Sequence, residues 1–434
     1  MNEKNPEEAG KMSYRKQKVF YGWSVVACVC MILFLAFGSV YTFTTFFESF
    51  QVEFGTSRSS TSLVFAIAGF IYFSLGAISG QIADRMGSRW VIASGVFVIS
   101  LGLLLSSFTV TVKQIYLVYG LGIGIGVGFT YVPAVGVVQR WFVTRRGLAS
   151  GIAVMGIGLG TLGMPAFSAV LIHWSDWRTA YMVMSACVFC CGMAAAKLIV
   201  DSPEEMGLMP DGERTKIADS TDLQNNSPKK STQPEGELTV NDVLKTHPFW
   251  LLYAGTFSAS IGVFIPFVHL MPFSKDLGHT TSTGVFLLGL IGVGSTVGRF
   301  LIGGLADRFG RRRSLACMYA VMAATFAWWL LSSRIWELAL LAIIFGTCYG
   351  GFVALLPAVT ADYFSGSNIS GILGALYTSV AFGNLLGPTF AGFMFDLQQS
   401  YIIPIVMSIL AATVASICTL FLEKPESWRE TFFQ

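Results

Sequence analysis

The sequence has few charged residues. Only 12% of its 434 residues are Asp, Glu, Lys or Arg, and 53% are hydrophobic, whereas a soluble protein carries about 25% charged residues. The apolar residues are gathered into blocks of about 20 or more, the length at which a helix crosses the hydrocarbon core of a bilayer. Because that core offers no water to backbone polar groups, such blocks are expected to be helices. The composition therefore predicts an all-α, multi-pass membrane protein.

Several catalytic motifs are also missing. The sequence has no G-x-x-x-x-G-K-[ST] phosphate loop, which disfavours ATP-driven transport. It has no H-E-x-x-H motif and no paired carboxylates deep in the apolar blocks, which disfavours an intramembrane enzyme. The alternating glycines from Gly120 to Gly128 imitate a dinucleotide-binding loop, but they lie inside an apolar block and predict close helix packing. We therefore expect no enzyme activity, no cofactor and no bound metal.

The apolar blocks form two groups of six. They fall at about 20–47, 59–83, 89–110, 114–140, 147–172 and 178–200, and then at 247–273, 283–306, 314–333, 336–361, 368–395 and 400–422. The expected domains are an N-terminal tail over 1–19, a six-helix bundle over 20–200, a linker over 201–245, a second six-helix bundle over 246–422 and a C-terminal tail over 423–434. The linker is polar and is predicted to be largely disordered, apart from a short amphipathic helix near its end.

Positive charges indicate the orientation. If the N-terminus is cytoplasmic, only five of the 28 Lys and Arg residues lie in outer segments, two lie within helices and the rest lie on the inner side. Since positively charged loops stay in the cytoplasm, both termini and the linker are predicted to be cytoplasmic, in a cell membrane. This bias accounts for the net charge of +3, so nucleic acid is not an expected partner.

The two groups of blocks share an internal repeat. The segment Gly80–Gly87 (GQIADRMG) matches Gly303–Gly310 (GGLADRFG) at an offset of 223 residues. The segment Pro133–Val135 matches Pro357–Val359 at an offset of 224. Two halves with an even number of helices are expected to be parallel repeats, related by an axis along the membrane normal.

The motif G-x-x-A-D-R-x-G-x-R, which follows the second block and recurs after the eighth, resembles the signature of the major facilitator superfamily. This resemblance implies twelve transmembrane helices in two pseudo-symmetric six-helix bundles. It also implies that Asp84, Arg85, Asp307 and Arg308 form a conformational gate, in which charge contacts lock the cytoplasmic side and rearrange during transport.

A finer resemblance is to the monocarboxylate transporter family and its neighbour, the oxalate–formate antiporter family. Its most specific stretch is Trp141–Ala153 (WFVTRRGLASGIA), supported by Tyr21–Val26 (YGWSVV), Glu53–Ser59 (EFGTSRS) and Ser202–Gly207 (SPEEMG). The resemblance implies carriage of a small carboxylate, often together with a proton.

One full charge lies deep inside a predicted helix, and it is Arg299 in the eighth block. It precedes Asp307, which marks the cytoplasmic end of that block, by eight residues. At 1.5 Å per residue this is roughly 12 Å into a core about 30 Å thick, near the midplane. Arginine cannot lose its proton to escape this cost, and its planar fork suits a carboxylate. We therefore predict that Arg299 binds an anion, with cavity water or backbone carbonyls as the alternative partners.

The number of cations favours a monocarboxylate. Oxalate-type antiporters have a lysine in helix eleven, whereas Ile369–Phe395 contains no Lys or Arg. This count favours a lactate- or pyruvate-like substrate over a dianion, and together with the resemblance it predicts proton-coupled symport. The alternatives are oxalate–formate-type antiport, or a non-transporting receptor or channel on the same scaffold. Animal monocarboxylate transporters have an aspartate at the position of Ser295 and a lysine near that of Tyr41, so their proton relay is in doubt here.

Other polar side chains in the apolar blocks are weaker candidates for the substrate site, together with Ser295 and Tyr41 themselves. Tyr131 is placed to donate to a carboxylate, and the family pattern adds Tyr349, Tyr377 and Asn384. For each of these, packing or interfacial anchoring is the alternative. His269 is the candidate for the coupled proton or for gating the outer mouth, because histidine titrates near physiological pH; a solvated interface histidine is the alternative. The expected partners are substrate, proton and lipid, and the carrier is expected to work as a monomer.

Overall fold

The structure is a computed structural model that describes residues 20–142, 145–212, 240–364 and 369–423. Within these ranges the chain forms helices and no strands. The predicted N-terminal tail, the predicted C-terminal tail apart from Glu423, and the linker segment 213–239 lie outside the described residues. The described end of the linker contains a single helical turn at Val240–Val243, where a short helix was expected.

Six long helices make up each half. In the N-terminal half they are α1 (Tyr21–Phe54), α2 (Arg58–Met86), α3 (Ser88–Ser106), α4 (Val112–Trp141), α5 (Arg146–Trp174) and α6 (Trp177–Leu198). In the C-terminal half they are α7 (His247–Asp276), α8 (Thr281–Phe309), α9 (Arg311–Trp329), α10 (Ile335–Tyr363), α11 (Ile369–Gln398) and α12 (Ile402–Leu420). Among the described residues, eleven of these helices are long and apolar enough to cross a membrane. The exception is α9, because its first three residues are arginines.

The helix pairs of the first half recur in the second. In the first half α1 packs on α5, α2 on α4 and α3 on α6; in the second half α7 packs on α11, α8 on α10 and α9 on α12. Thus α9 occupies the place of α3. The halves meet where α2 packs on α11 and where α5 packs on α8. The repeat relates α2 to α8 and α5 to α11, so these two contacts are equivalent by the pseudo-symmetry. The predicted all-α fold of two pseudo-symmetric six-helix bundles is confirmed.

The backbone conformation explains why the repeated motif contains a glycine directly after the helix. α2 ends before Gly87 and α8 ends before Gly310, and these two residues have φ angles of 87° and 90°. Side chains strongly disfavour positive φ, so glycine is the residue that allows so sharp a turn into the next helix. The motif therefore marks the two places where a helix pair reverses direction.

Two helices are interrupted at matching positions of the repeat. α7 is interrupted at Phe264, just before Pro266, which has no N–H to donate to the carbonyl one turn earlier. α1 is interrupted at Thr42 without a proline. There Ser39 Oγ donates to the Leu35 carbonyl at 2.7 Å and Thr42 Oγ1 donates to the Ser39 carbonyl at 2.8 Å. Such local side-chain bonds compete with the helix ladder and bend it.

Glycines bring α5 and α8 close together across the boundary between the halves. A Cβ on Gly292 would lie 2.7 Å from the Gly158 carbonyl oxygen, and a Cβ on Gly158 would collide with Thr296 Oγ1. Small residues at a helix contact let two backbones approach closely. The two halves therefore touch through backbone here, with little side chain in between.

Candidate functional site

A cavity lies between the two halves. The N-terminal half contributes Phe37, Phe73, Tyr131 and Ile157 to its lining. The C-terminal half contributes Phe264, Arg299, Tyr349 and Tyr377, together with four apolar side chains of α10 and α11. The volume of about 40 Å³ has room for roughly three water molecules. The wall is thus mostly aromatic and aliphatic, and it is built from both halves.

Arg299 is the charged side chain of this lining. It is 8% exposed, and within the described residues none of its three guanidinium nitrogens has a hydrogen-bond partner. The expected alternative, a structural arginine bonded to backbone carbonyls, is therefore not what these residues show. A guanidinium has five N–H donors in a fixed fork, so this one can bind both oxygens of a carboxylate that enters the cavity.

The structure brings three of the predicted tyrosines to the same cavity. Tyr131 of α4, Tyr349 of α10 and Tyr377 of α11 all line it with Arg299. Tyr41 of α1 is fully buried, and its hydroxyl is hydrogen-bonded to that of Tyr349 at 2.9 Å. This pair of hydroxyls joins the two halves at the edge of the cavity.

Two other predicted residues do not line the cavity. Ser295 lies one turn before Arg299 and is buried, and its hydroxyl has no partner within the described residues. Asn384 lies in the contact between α11 and α2, where its Nδ2 donates to the Ala66 carbonyl at 3.2 Å. It fills the space beside Gly69, where a Cβ would collide with the Asn384 amide. Asn384 therefore joins the halves and is not part of the cavity lining.

Sequence reasoning missed the contribution of α2. Phe73 lines the cavity. Its neighbour Tyr72 packs edge-on against Phe37, with ring centroids 5.8 Å apart. The Tyr72 hydroxyl is buried and has no partner within the described residues. An aromatic pair inside an apolar block gives no charge signal, and only the place of Phe73 in the cavity lining distinguishes the pair from packing residues.

At the end that the charge pattern predicts to face outward, the halves are joined by Arg58, which begins α2. Its guanidinium donates to both carboxylate oxygens of Asp276 at 2.7 Å and to the Tyr401 hydroxyl at 2.5 Å. It also stacks on Phe395, with 3.7 Å between the guanidinium carbon and the ring centroid. Asp396 accepts from the backbone N–H of Arg58 at 2.9 Å. These contacts close the gap between the two halves at this end.

His269 lies within the same closure and does not line the cavity. It is fully buried, so it is not a solvated interface histidine. Its Nε2 lies 3.1 Å from Ser62 Oγ and 2.9 Å from the Pro388 carbonyl oxygen, and its Nδ1 lies 3.1 Å from the Tyr401 hydroxyl. Its ring packs edge-on near Phe47, with 6.0 Å between centroids.

The predicted cytoplasmic gate is described only in part. Arg85 and Arg308 are exposed. The side chains of Asp84 and Asp307 lie outside what the structure describes, so the proposed charge contacts stay a prediction. In the described part of the chain, no three His, Cys, Asp or Glu side chains cluster in a way that could hold a metal ion.

Two six-helix bundles of apolar helices, with an arginine in a cavity between them, are typical of a multi-pass membrane transporter. The family model of the Major Facilitator Superfamily matches residues 29–308 and 286–434. The chain is 27% identical over 403 residues to monocarboxylate transporter 12-B of Danio rerio, covering 88% of this chain and 82% of that protein. It is 26% identical over 393 residues to human monocarboxylate transporter 2, covering 88% and 81%. The chain belongs to the major facilitator superfamily, and the relatives it resembles are named monocarboxylate transporters.

The fold has a solved counterpart. A bacterial homologue of the human lysosomal transporter Spinster, in an inward-facing and unoccupied conformation, aligns with a TM-score of 0.72. The alignment covers 93% of this chain and 98% of that one at 16% sequence identity. The likeness at this identity concerns the arrangement of the helices.

Proposed function

We propose that the protein is a secondary active transporter of small monocarboxylates, of the lactate or pyruvate type, which moves them together with protons by alternating access. The observation that carries this proposal is Arg299, a buried cation in a cavity lined by both halves, whose three guanidinium nitrogens have no partner among the described residues. The names of the relatives support the substrate class. The carboxylate would take the guanidinium fork, and its body would pack on the surrounding rings.

The charge of the cavity favours a monoanion. Arg299 is the only cation among the described lining residues, so one carboxylate neutralises it. The second carboxylate of a dianion would stay uncompensated, which costs several kcal/mol in an apolar site. The hydroxyls of Tyr131, Tyr349 and Tyr377 supply the remaining polarity, and they donate to a carboxylate or a substrate hydroxyl without adding charge.

Neutralisation also gives a reason for coupling between binding and movement. An empty cavity holds a bare positive charge, which is costly to seal from water on both sides. A bound carboxylate removes that charge, so the loaded carrier passes more readily than the empty one through a state that is closed at both ends. Tyr41 and Tyr349, one from each half, are placed to separate and rejoin as the bundles rock around the site.

The remaining assignments follow the same scheme. Both termini and the linker are proposed to be cytoplasmic in a cell membrane, and the carrier is proposed to act as a monomer that leaves its substrate chemically unchanged. Asp84, Arg85, Asp307 and Arg308 are proposed to hold the cytoplasmic end closed when the outer end is open.

The test is uptake into liposomes. Purified protein is reconstituted, and uptake of labelled lactate, pyruvate, formate and oxalate is measured with and without an inward proton gradient. We expect saturable uptake of the monocarboxylates that the gradient stimulates, and its loss in Arg299→Gln. Arg178→Gln is the matched control, because Arg178 is an outer arginine paired with Glu53. Full uptake by Arg299→Gln would refute the role of the arginine.

Antiport is the alternative mechanism, favoured by the likeness to oxalate–formate exchangers. It predicts that substrate preloaded inside the liposomes, and not the proton gradient, stimulates uptake. A channel on the same scaffold would show neither saturation nor counterflow. The same liposomes therefore separate the three possibilities.

A further inference from the structure

A chain of hydrogen bonds runs through the closed outer end to His269. The carbonyl oxygen of Pro388 can only accept, so His269 Nε2, which lies 2.9 Å from it, must carry a proton and donate. In the neutral ring Nδ1 is then an acceptor, and the Tyr401 hydroxyl, at 3.1 Å, donates to it. The oxygen of Tyr401 in turn accepts from Arg58 Nη1 at 2.5 Å. The chain therefore runs in one direction, from the guanidinium through the phenol and the imidazole to the carbonyl.

This chain joins the two halves. Arg58 belongs to α2 in the N-terminal half, whereas Tyr401, His269 and Pro388 all belong to the C-terminal half. A second contact across the boundary links His269 Nε2 to Ser62 Oγ of α2 at 3.1 Å. The imidazole is thus one of the groups that hold the outer end closed.

The charged groups around His269 are already engaged with one another. On α7, Asp276 accepts both arms of the Arg58 fork. On α11, Asp396 accepts from the backbone N–H groups of Arg58 and Ser59, both at 2.9 Å. Further out, Glu48 of α1 pairs with Lys275 of α7.

The closest neighbours of the imidazole are uncharged. Phe47 of α1 is apolar, Ser62 of α2 and Tyr401 of α12 are neutral hydroxyls, and Pro388 of α11 presents a carbonyl. None of the hydrogen-bond partners described for His269 is a carboxylate.

Protonation of the ring conflicts with this arrangement. A proton on Nδ1 removes the acceptor of the Tyr401 O–H, whose oxygen already accepts from Arg58. It also places a second cation near the guanidinium at a fully buried position, and burial of a charge without a direct counter-ion is unfavourable. When the halves separate at the outer end, water reaches the ring and both costs disappear.

We propose that His269 is the proton-binding group of the outer gate: it is neutral when the outer end is closed, and a proton that binds it from outside favours the open end. This assignment rests on the proposed proton-coupled transport and names the group that receives the outer proton. It gives the pH of the outer medium direct control over how often the substrate site is reached from outside.

The test measures the separation of the two halves directly. Val110 and Leu331 are 69% and 81% exposed, and they lie in outer loops of opposite halves. Spin labels are attached to Val110→Cys and Leu331→Cys in a background in which the eight native cysteines are replaced, and distances are recorded in liposomes without substrate. A water-exposed imidazole titrates near pH 6.5, so the ratio of long to short distances should rise by up to about tenfold per pH unit below that value.

Two variants decide whether His269 is responsible. The side chain of His269→Gln keeps an acceptor for Tyr401 and a donor for Pro388 but does not titrate, so this variant should stay closed between pH 8 and pH 5. His279→Gln is the matched control, because His279 is an outer histidine bonded to the Ser333 carbonyl, and it should respond as the native protein does. Tyr401→Phe removes the donor to Nδ1 and should move the opening to a higher pH.

A pH response that persists in His269→Gln, or a native protein whose distances do not depend on pH, would overturn the proposal. If His269→Gln does not fold, His269→Asn, which also does not titrate, takes its place in the same measurement. The distances are measured without substrate. They therefore test His269 even if the protein turns out not to transport monocarboxylates. Conversely, proton-driven uptake without pH-dependent opening would refute only the assignment of His269.

Discussion

Replacing Arg299 should make the empty protein more stable and unable to bind substrate. Its three guanidinium nitrogens have no partner within the described residues, so the folded ligand-free state contains a charge that is largely uncompensated. Methionine has a similar length, is apolar and fills the same space without a charge. Arg299→Met should therefore raise the free energy of unfolding, whereas an arginine that served the fold would lower it when removed.

The expected size follows from the surroundings. An uncompensated buried charge costs about 3–5 kcal/mol. The cavity of about 40 Å³ has room for roughly three waters, which would offset part of this cost. Removing the charge should therefore stabilise the empty protein by about 1–3 kcal/mol. At about 2.1 cal/mol/K of unfolding entropy per residue, 434 residues correspond to about 0.9 kcal/mol/K. The midpoint of thermal unfolding should thus rise by roughly 1–3 °C.

Substrate, in contrast, should stabilise the native protein and leave Arg299→Met unchanged. At a concentration of 100 times its dissociation constant, a ligand stabilises the native protein by about 2.7 kcal/mol, which is about 3 °C on the same scale. Arg299→Met should show none of this, because the carboxylate has lost its only cation among the described lining residues. A panel of monocarboxylates in a thermal unfolding assay measures both effects in one experiment.

Arg140→Met provides the control. Arg140 lies in α4 and is fully engaged, with Nε donating to the Asp201 carbonyl at 3.0 Å and Nη2 donating to Ser88 Oγ. The same substitution there should lower the midpoint. If Arg299→Met lowered the midpoint as well, the inference that Arg299 is a largely uncompensated charge among the described residues would be wrong.

Three further changes are predicted. Arg58→Met removes a partly exposed ion pair with Asp276 worth about 1 kcal/mol, so the outward-open fraction at pH 8 should rise about fivefold in the spin-label assay. Gln399→Gly relieves a left-handed backbone of φ 53° that costs a side chain about 1 kcal/mol; its unfolding midpoint should rise, whereas Gln399→Ala should not change it. Asp176→Ala removes the N-cap of α6, at a cost of about 1 kcal/mol. Hydrogen bonds, chiefly from the Thr179 backbone N–H, hold the pKa of Asp176 below its usual range. The cap therefore stabilises fully above the unfolded value of about 3.9, and the difference in unfolding midpoint between variant and native protein should vanish as the pH falls through the lowered folded value.

The helices and the buried cation could be predicted because a bilayer applies strict local rules. A spanning helix needs an apolar block of fixed length, and a lone arginine within one is rare enough to be conspicuous. α9 shows the limit of that rule, since its three initial arginines reduce its apolar character although it packs in the place of a spanning helix. The interruption of α7 follows from Pro266, whereas that of α1 depends on hydroxyl bonds that composition does not reveal.

The site itself was predicted unevenly. Tyr131, Tyr349 and Tyr377 do meet Arg299 at one cavity, but Asn384, from the same pattern, faces α2 instead. A residue's place around its helix axis decides between cavity, partner helix and lipid, and hydropathy does not encode this rotation where all three surroundings are apolar.

By itself the sequence determined the class of protein, the two related halves, and a single deep cation to which an anion can bind. These depend on composition along one chain segment at a time. The tertiary structure decided what surrounds that cation, and it revealed that Arg58 reaches Asp276 and Tyr401 across the boundary between the halves. It also placed His269 in a chain of hydrogen bonds that only a neutral ring completes. Hydrogen bonds act over about 3 Å, so the partners of a side chain depend on how distant helices are tilted and rotated against each other.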